Sequence, residues 1–244
     1  MTARFRKKEG SIVPESLSIA ERIVAMRQSL PSSVRLVAVS KMQPAEAIRD
    51  AYAAGIRDFG ESRIQEAIEK QKQLSDLQDI TWHFIGHLQT NKVKLVLEHV
   101  QWIHSVDRLK LLKEIDRLVK RGSPSPKLCL QVKLREDPNK FGWSVPELLG
   151  DLPEIATFDR LDVRGLMTIP PLELTDSETR AVFDELRQLA DRIRREYGSR
   201  VEMEQLSMGM SEDYEIASAC GATMVRLGRV LFGERPRSFA AGQC

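Results

Sequence analysis

Cysteine is scarce in this chain: three residues in 244, Cys129, Cys220 and Cys244, with no Cys-x-x-Cys pair among them. That argues against a disulfide framework or a cysteine zinc site and predicts reduced thiols in a cytoplasmic protein. An excess of charge of one sign is missing too. The 37 basic and 35 acidic residues leave a net charge of +2, which gives no electrostatic reason to expect nucleic acid or an anionic membrane as partner. No apolar run approaches the roughly 20 residues that span a bilayer. Arg4, Arg6, Lys7 and Lys8 crowd the N-terminus, but no apolar signal core follows. Residues 1–16 therefore read as a flexible solvated tail, with a transit peptide as the weaker alternative. G-x-G-x-x-G and the P-loop are both absent, which removes the two commonest nucleotide motifs. No Pro/Gly/Ser-rich linker divides the chain, since Ser123-Pro124-Ser125-Pro126 is only a short loop. One domain is expected over 17–235, with a tail at 236–244.

What is present is alternation. From about residue 17, apolar runs of strand length follow amphipathic stretches of helical period. Helices are predicted at 17–30, ended by Pro31, and between Pro44, at the first helical position, and Gly55. The stretch 107–121 has the stripe Leu109, Leu112, Ile115 and Val119, with Asp107 as its cap and Gly122 as its end. A long helix is predicted at 177–197. Strands are predicted at 34–41, 56–60, 80–85, 100–106, 128–134, 161–167, 203–208 and 223–228. Eight strands alternating with helices predict an α/β fold, a single-domain TIM (β/α)8 barrel with an extra N-terminal helix. A doubly wound open sheet is the rival and explains the count less well.

Active sites of such barrels lie at the C-terminal strand ends. The first strand closes on Leu36-Val37-Ala38-Val39-Ser40-Lys41. Alternation puts Val37, Val39 and Lys41 on one face, so Lys41 can point into the mouth, where burial favours the neutral amine that attacks an aldehyde. Taken alone, a lysine at a strand end is more simply a solvated charge. The phosphate side changes the balance. After the seventh strand comes Ser207-Met208-Gly209-Met210-Ser211, and after the eighth Gly228-Arg229-Val230-Leu231-Phe232-Gly233. These loops build the common barrel phosphate site. Ser207 offers a hydroxyl, and Ser211 can cap a helix starting near Glu212. Both glycines equally suit plain strand-to-helix turns. Arg226 shares a face with Met224, opposite Val225 and Leu227, and so is expected inside, where its guanidinium needs an acceptor. A pyridine nitrogen or a structural carboxylate would serve. Lys41 and the two loops together point to pyridoxal 5'-phosphate (PLP). His83 and His87, on a strand that ends in a glycine turn, read as a core histidine and a rim histidine, not as a metal pair. Glu61 and Ser62 can reach the mouth, though Glu61 also suits an early helix turn.

These segments, in order, resemble one family closely. They are Leu36 to Lys41, Phe59-Gly60-Glu61, Trp82 to Gly86 with Leu88-Gln89 and Asn91-Lys92, His104-Ser105-Val106-Asp107, Gly165-Leu166-Met167, Leu206 to Ser211, and Val225 to Gly233 with Glu234-Arg235. The family is the PLP-binding homeostasis proteins, the YggS/PROSC family. The resemblance implies a fold similar to the alanine racemase N-terminal barrel, with PLP linked as a Schiff base to Lys41. It implies phosphate contacts from Ser207, Gly209, Gly228 and Arg229, Arg226 facing the ring nitrogen, and Ser62, Ile85 and Met167 around the ring. The family commonly has Asn-Tyr after Gly-Glu, where this chain has Ser62-Arg63. It has Thr or Ser after the last-loop glycine, here Arg229, and Thr after the lysine, here Met42.

The resemblance further implies a role in buffering or delivering PLP, and so in amino-acid and keto-acid balance, without robust turnover. PLP-dependent apoenzymes are the implied recipients and a monomer the expected state. Racemisation needs a base on each face of the α-carbon. The barrel is expected to use the chain up by about residue 235, leaving no second domain to supply the tyrosine. A weak amino-acid racemase is the alternative, and a barrel enzyme for a phosphorylated metabolite the third reading.

Overall fold

The computed structural model describes residues 17–137 and 140–233. The expected tails at 1–16 and 236–244, with Cys244 and Glu234-Arg235, lie outside the described residues. Among the described residues nine strands run in chain order: β1 Arg35–Val39, β2 Asp58–Glu61, β3 Thr81–Phe84, β4 Trp102–Val106, β5 Lys127–Lys133, β6 Trp143–Ser144, β7 Asp162–Met167, β8 Gln205–Ser207 and β9 Met224–Leu227. All pairings are parallel. Pairing of β1 with β9 and of β4 with β5 closes β1–β5 and β7–β9 into a ring, with the two-residue β6 beside β5. The expected eight-stranded barrel is therefore the observed one.

Each barrel strand buries both faces, as parallel strands under helices must. Leu36 and Ala38, Phe59, Trp82 and Phe84, Ile103, Leu128 and Leu130, and Val225 and Leu227 belong to the large core between barrel and helices. Trp102, Cys129, Met167 and Met224 form a separate cluster, which is the filling of the barrel. The period-two alternation of the sequence thus sorts residues into two cores.

The helices are α1 Ile19–Ser29, α2 Ala45–Ala53, α3 Ile64–Gln73, α4 Val93–Leu97, α5 Leu109–Lys120, α6 Val145–Ile155, α7 Asp176–Tyr197, α8 Tyr214–Ala219 and α9 Arg229–Phe232. Three begin with capping boxes: Ser18 with Glu21, Ser144 with Glu147, and Thr175 with Glu178. α1, the extra N-terminal helix, packs against α2 and α9, covering the wall that the four-residue α9 leaves thin. Several local expectations need correction. Asp107 does not cap α5: Arg108 occupies the cap position without a side-chain bond, because Asp107 is held by Arg108 and His87. Pro44 is the residue before α2, not its first. Ser211 does not cap α8, whose cap position is Asp213. Lys41 lies beyond β1, in a turn.

Candidate functional site

The turn that carries Lys41 is tight. The Gln43 N–H donates to the Ser40 carbonyl at 2.9 Å, so Lys41 and Met42 are its two central residues. Met42 has φ +62°, a conformation normally left to glycine or asparagine. A buried ammonium holds the turn from the helix side. Lys70 on α3, 5% exposed, donates to the Ser40 carbonyl at 2.8 Å, to Glu61 Oε1 at 2.7 Å and to Glu66 Oε1 at 2.6 Å. Those three bonds use all its N–H groups. The Ser40 hydroxyl donates to Glu61 at 2.7 Å, and Glu66 also accepts the Met42 N–H. Both peptide groups that flank Lys41 are thereby anchored. Burial holds the Glu61 carboxyl above its usual range against the pull of Lys70, and its Oε2 has no hydrogen-bond partner. Glu61 therefore faces α3 and not the mouth. Lys41 itself is half-buried.

Arg226 stands inside the barrel, level with Val37 on the neighbouring strand and 4% exposed. It donates to Ser207 Oγ at 2.5 Å and to the Thr168 carbonyl at 3.0 Å. Burial pushes its pKa down to about 10, so it remains a cation at neutral pH. Ser207 Oγ lies 2.7 Å from His104 Nδ1, His104 Nε2 lies 2.9 Å from His83 Nδ1, and His83 Nε2 lies 2.9 Å from Asp58 Oδ1. Burial lowers the pKa of both histidines. His83 is the core histidine that the sequence suggested. His104 carried no such signal.

The loops after β8 and β9 sit where the sequence put them. Gly209 has φ +94°, and a Cβ there would come 2.7 Å from the Ala217 Cβ. Its carbonyl accepts the Arg226 N–H at 2.9 Å, which ties this loop to β9. A Cβ at Gly228 would lie 3.3 Å from the Val39 carbonyl oxygen, so the β9 loop passes close to the strand that ends at Lys41. The first N–H groups of α9 follow directly and have no acceptor within their helix. The Ser207 hydroxyl bonds Arg226 and His104, and its carbonyl accepts the Thr168 N–H, so neither is left for the phosphate position. Arg229 pairs with Glu212, and this bridges the two loops at their exposed edge.

Ser62 and Ile85 end the neighbouring strands. The backbone of Ser62 packs so closely on Gly86 that a Cβ at Gly86 would sit 2.1 Å from the Ser62 oxygen. Ile85 meets Val37 and Val39 over Gly60. Met167 is buried lower, in the inner cluster. Beside Ser62 opens a cleft of about 270 Å³ lined by Arg63, His87, Gln89 and Lys92 among others. His87 stacks on Phe141, ring centroids 3.6 Å apart, which makes it the rim residue expected. Lys140, a second half-buried amine at this end, was not singled out by sequence. It donates to the Pro170 carbonyl at 2.7 Å, and burial lowers its pKa. Among the described residues no cluster of His, Cys, Asp or Glu suits a metal ion.

An amine on a clamped turn, a buried guanidinium and two glycine loops at one barrel end define a parallel barrel of the alanine racemase type. The family model described as alanine racemase, N-terminal domain, matches residues 16–236. A pyridoxal phosphate homeostasis protein of Synechocystis sp. is 48% identical over 220 residues, covering 90% of this chain and 99% of the relative. The Escherichia coli K12 protein of the same name is 38% identical, covering 85% and 88%. PipY of Synechococcus elongatus, solved with PLP bound, superposes with a TM-score of 0.85 at 49% identity over 88% of this chain and 100% of its own. Alanine racemase of Corynebacterium glutamicum, at 18% identity and TM-score 0.68, shares the fold over 92% of this chain and 62% of its own. The chain belongs to the alanine racemase N-terminal domain family and, within it, to the pyridoxal phosphate homeostasis proteins.

Proposed function

We propose that this chain binds PLP at Lys41 and acts in its homeostasis, holding the cofactor and releasing it to PLP-dependent apoenzymes of the cytoplasm. The observation that carries the reading is Lys41 on its clamped turn, at the same barrel end as a buried and still charged Arg226. The donor set fits the cofactor: an amine for an aldehyde, backbone N–H groups at Gly228 and α9 for a phosphate, and a cation for an aromatic nitrogen. When bound, PLP supplies an aldehyde that joins a primary amine reversibly through a carbon–nitrogen double bond.

Every other part belongs to the chain. Lys41 Nζ would be the amine that meets the aldehyde. Ser62, Ile85 and Met167 would flank the ring, and the backbone at Ser207, Gly209, Gly228 and Arg229 would receive the phosphate. Arg226 would donate to the ring nitrogen and, as a cation, would keep that nitrogen unprotonated, which weakens the ring as an electron sink. Such a site suits storage and transfer better than carbanion chemistry, and a monomer suffices for it. Among the described residues no helix is long and apolar enough to cross a membrane.

The test is the absorption spectrum of wild type and Lys41→Ala with and without PLP. A visible band that borohydride removes, with the added mass on the Lys41 peptide, is expected for wild type alone. No band with excess PLP would overturn the reading. Reactivation of a PLP-dependent apoenzyme by the loaded protein tests delivery. Racemisation of L-alanine that Lys41→Ala abolishes would replace the carrier by an enzyme.

A further inference from the structure

The barrel interior holds more polar groups than the ring and phosphate contacts use. Ser207, His104 and His83 are buried to 1% exposure or less, and they join Arg226 near the site to Asp58 at the opposite mouth. Asp58 opens β2 at the N-terminal end of the barrel, and its side chain is one-fifth exposed beside Arg35, 3.4 Å away. The guanidinium of Arg35 lies over the Trp102 ring, 5.7 Å from its centroid, and His83 stacks on the same ring, centroids 5.8 Å apart at 5°.

The two ends fix the direction of every bond between them. Arg226 can only donate, so Ser207 Oγ accepts from it and its own hydrogen is left to point at His104 Nδ1. An ionised Asp58 can only accept, so His83 carries its proton on Nε2 and has a bare Nδ1. His104 must then donate from Nε2 to His83 and accept at Nδ1 from Ser207. Both conditions agree without a charged imidazole: Arg226 to Ser207 to His104 to His83 to Asp58, donors leading toward the carboxylate. The reverse order would put a second donor on Ser207 and leave its hydroxyl hydrogen facing a cation. Hydrogen bonds in such chains polarise one another in a low dielectric.

We propose that His83, His104 and Asp58 are positioning residues of the site, a one-way hydrogen-bond chain that fixes the Arg226 guanidinium from the far end of the barrel. The proposal rests on the PLP reading only for what Arg226 faces. The orientation of the chain stands on the protein alone.

Imidazole 15N NMR of the protein without PLP tests it. Wild type is expected to show His83 and His104 each as the single tautomer with the proton on Nε2. Because either end alone sets the direction, Asp58→Ala is expected to keep both tautomers, set from the Arg226 end, and only the double variant Asp58→Ala with Ser207→Ala, which removes both ends, loses the single pattern at both rings. Ser207→Ala keeps both tautomers, because they are set from the Asp58 end, and so does Arg35→Gln. In the PLP-loaded protein, Asp58→Asn and Ser207→Ala are expected to shift the pH midpoint of the visible band, and Arg35→Gln to leave it in place. A wild-type His104 protonated on Nδ1 overturns the proposal without any variant having to fold. Unchanged tautomers in the double variant, or an unchanged midpoint in Asp58→Asn, overturn it as well. Failure of wild type to take up PLP at Lys41 would sink the cofactor reading, while the tautomers would still decide the chain.

Discussion

Replacing Lys70 by methionine removes the ammonium that joins Ser40, Glu61 and Glu66, and leaves the Glu61 carboxylate buried without its cation. Breaking a buried pair in this way typically costs about 3–5 kcal/mol. The pH dependence identifies the cause. The folded-state pKa of Glu61 is already raised by burial, and Lys70 is what restrains it, so the variant raises it further. A carboxyl whose folded pKa lies above its unfolded value contributes stability below the unfolded pKa, about 4.3. That contribution is lost as pH rises through the folded pKa. The deficit of Lys70→Met against wild type should therefore be least near pH 4.5 and widen toward neutrality, by at most about 1.4 kcal/mol per pH unit. The widening should end once pH passes the raised folded pKa of the variant. The assay is urea unfolding at half-unit steps from pH 4.5 to 8. Glu61→Gln combined with Lys70→Met removes the titrating group and should leave a small deficit, flat with pH. A Lys70→Met deficit that is equal at pH 5 and pH 8, or a double variant as steep as the single, would refute the argument.

Other outcomes follow from single contacts. Met42→Gly trades about 1–2 kcal/mol of left-handed strain against up to about 1 kcal/mol of unfolded-chain entropy, so its stability should stay within about 1 kcal/mol of wild type. Met42→Val, β-branched at φ +62°, should lose about 1–3 kcal/mol, read as urea midpoints. Gly86→Ala sets a Cβ 2.1 Å from the Ser62 oxygen. It should cost about 1–3 kcal/mol and shift the visible band of the loaded protein, because Ser62 has to move. Glu212→Gln breaks an exposed pair worth under about 1 kcal/mol and should leave the melting temperature alone. Freeing Arg229 at the phosphate loops should tighten PLP binding at low salt and lose that gain at high salt. Cys129, whose thiol burial pushes up to about 12, should be about one part in ten thousand thiolate at pH 8 and react with a disulfide reagent only as fast as the protein unfolds.

The parts of this site that sequence reveals and the parts it hides differ in the range of the interactions behind them. Alternation and period are local, and they place eight strands and the inward side of β9 from a few consecutive residues. Lys41 and the glycine loops were legible because each sits next to a strand end. Lys70 was not, because on α3 it looks like a surface lysine four residues after Glu66, an ordinary helix pair. Only the return of the chain from β1 to β2 brings Ser40 and Glu61 over it. His104 and Ser207 are 103 positions apart and meet across the closed barrel, so no window of the sequence contains both. Asp107 looked like a helix cap because local capping chemistry favours it, and it lost that role to His87, a partner twenty residues away on another loop. A buried polar group must find its partner wherever the fold places one. Local reading therefore gives the candidate amine and misses what holds it. The turn of Lys41 is held from outside the barrel by a buried ammonium, and Arg226 from inside by a directed chain of neutral imidazoles. The two supports share no residue, which predicts that Lys70→Met and Asp58→Asn perturb the loaded site independently. Their effects on PLP affinity, measured singly and together, should add to within about 0.5 kcal/mol, and a larger coupling would mean that the two supports act as one network.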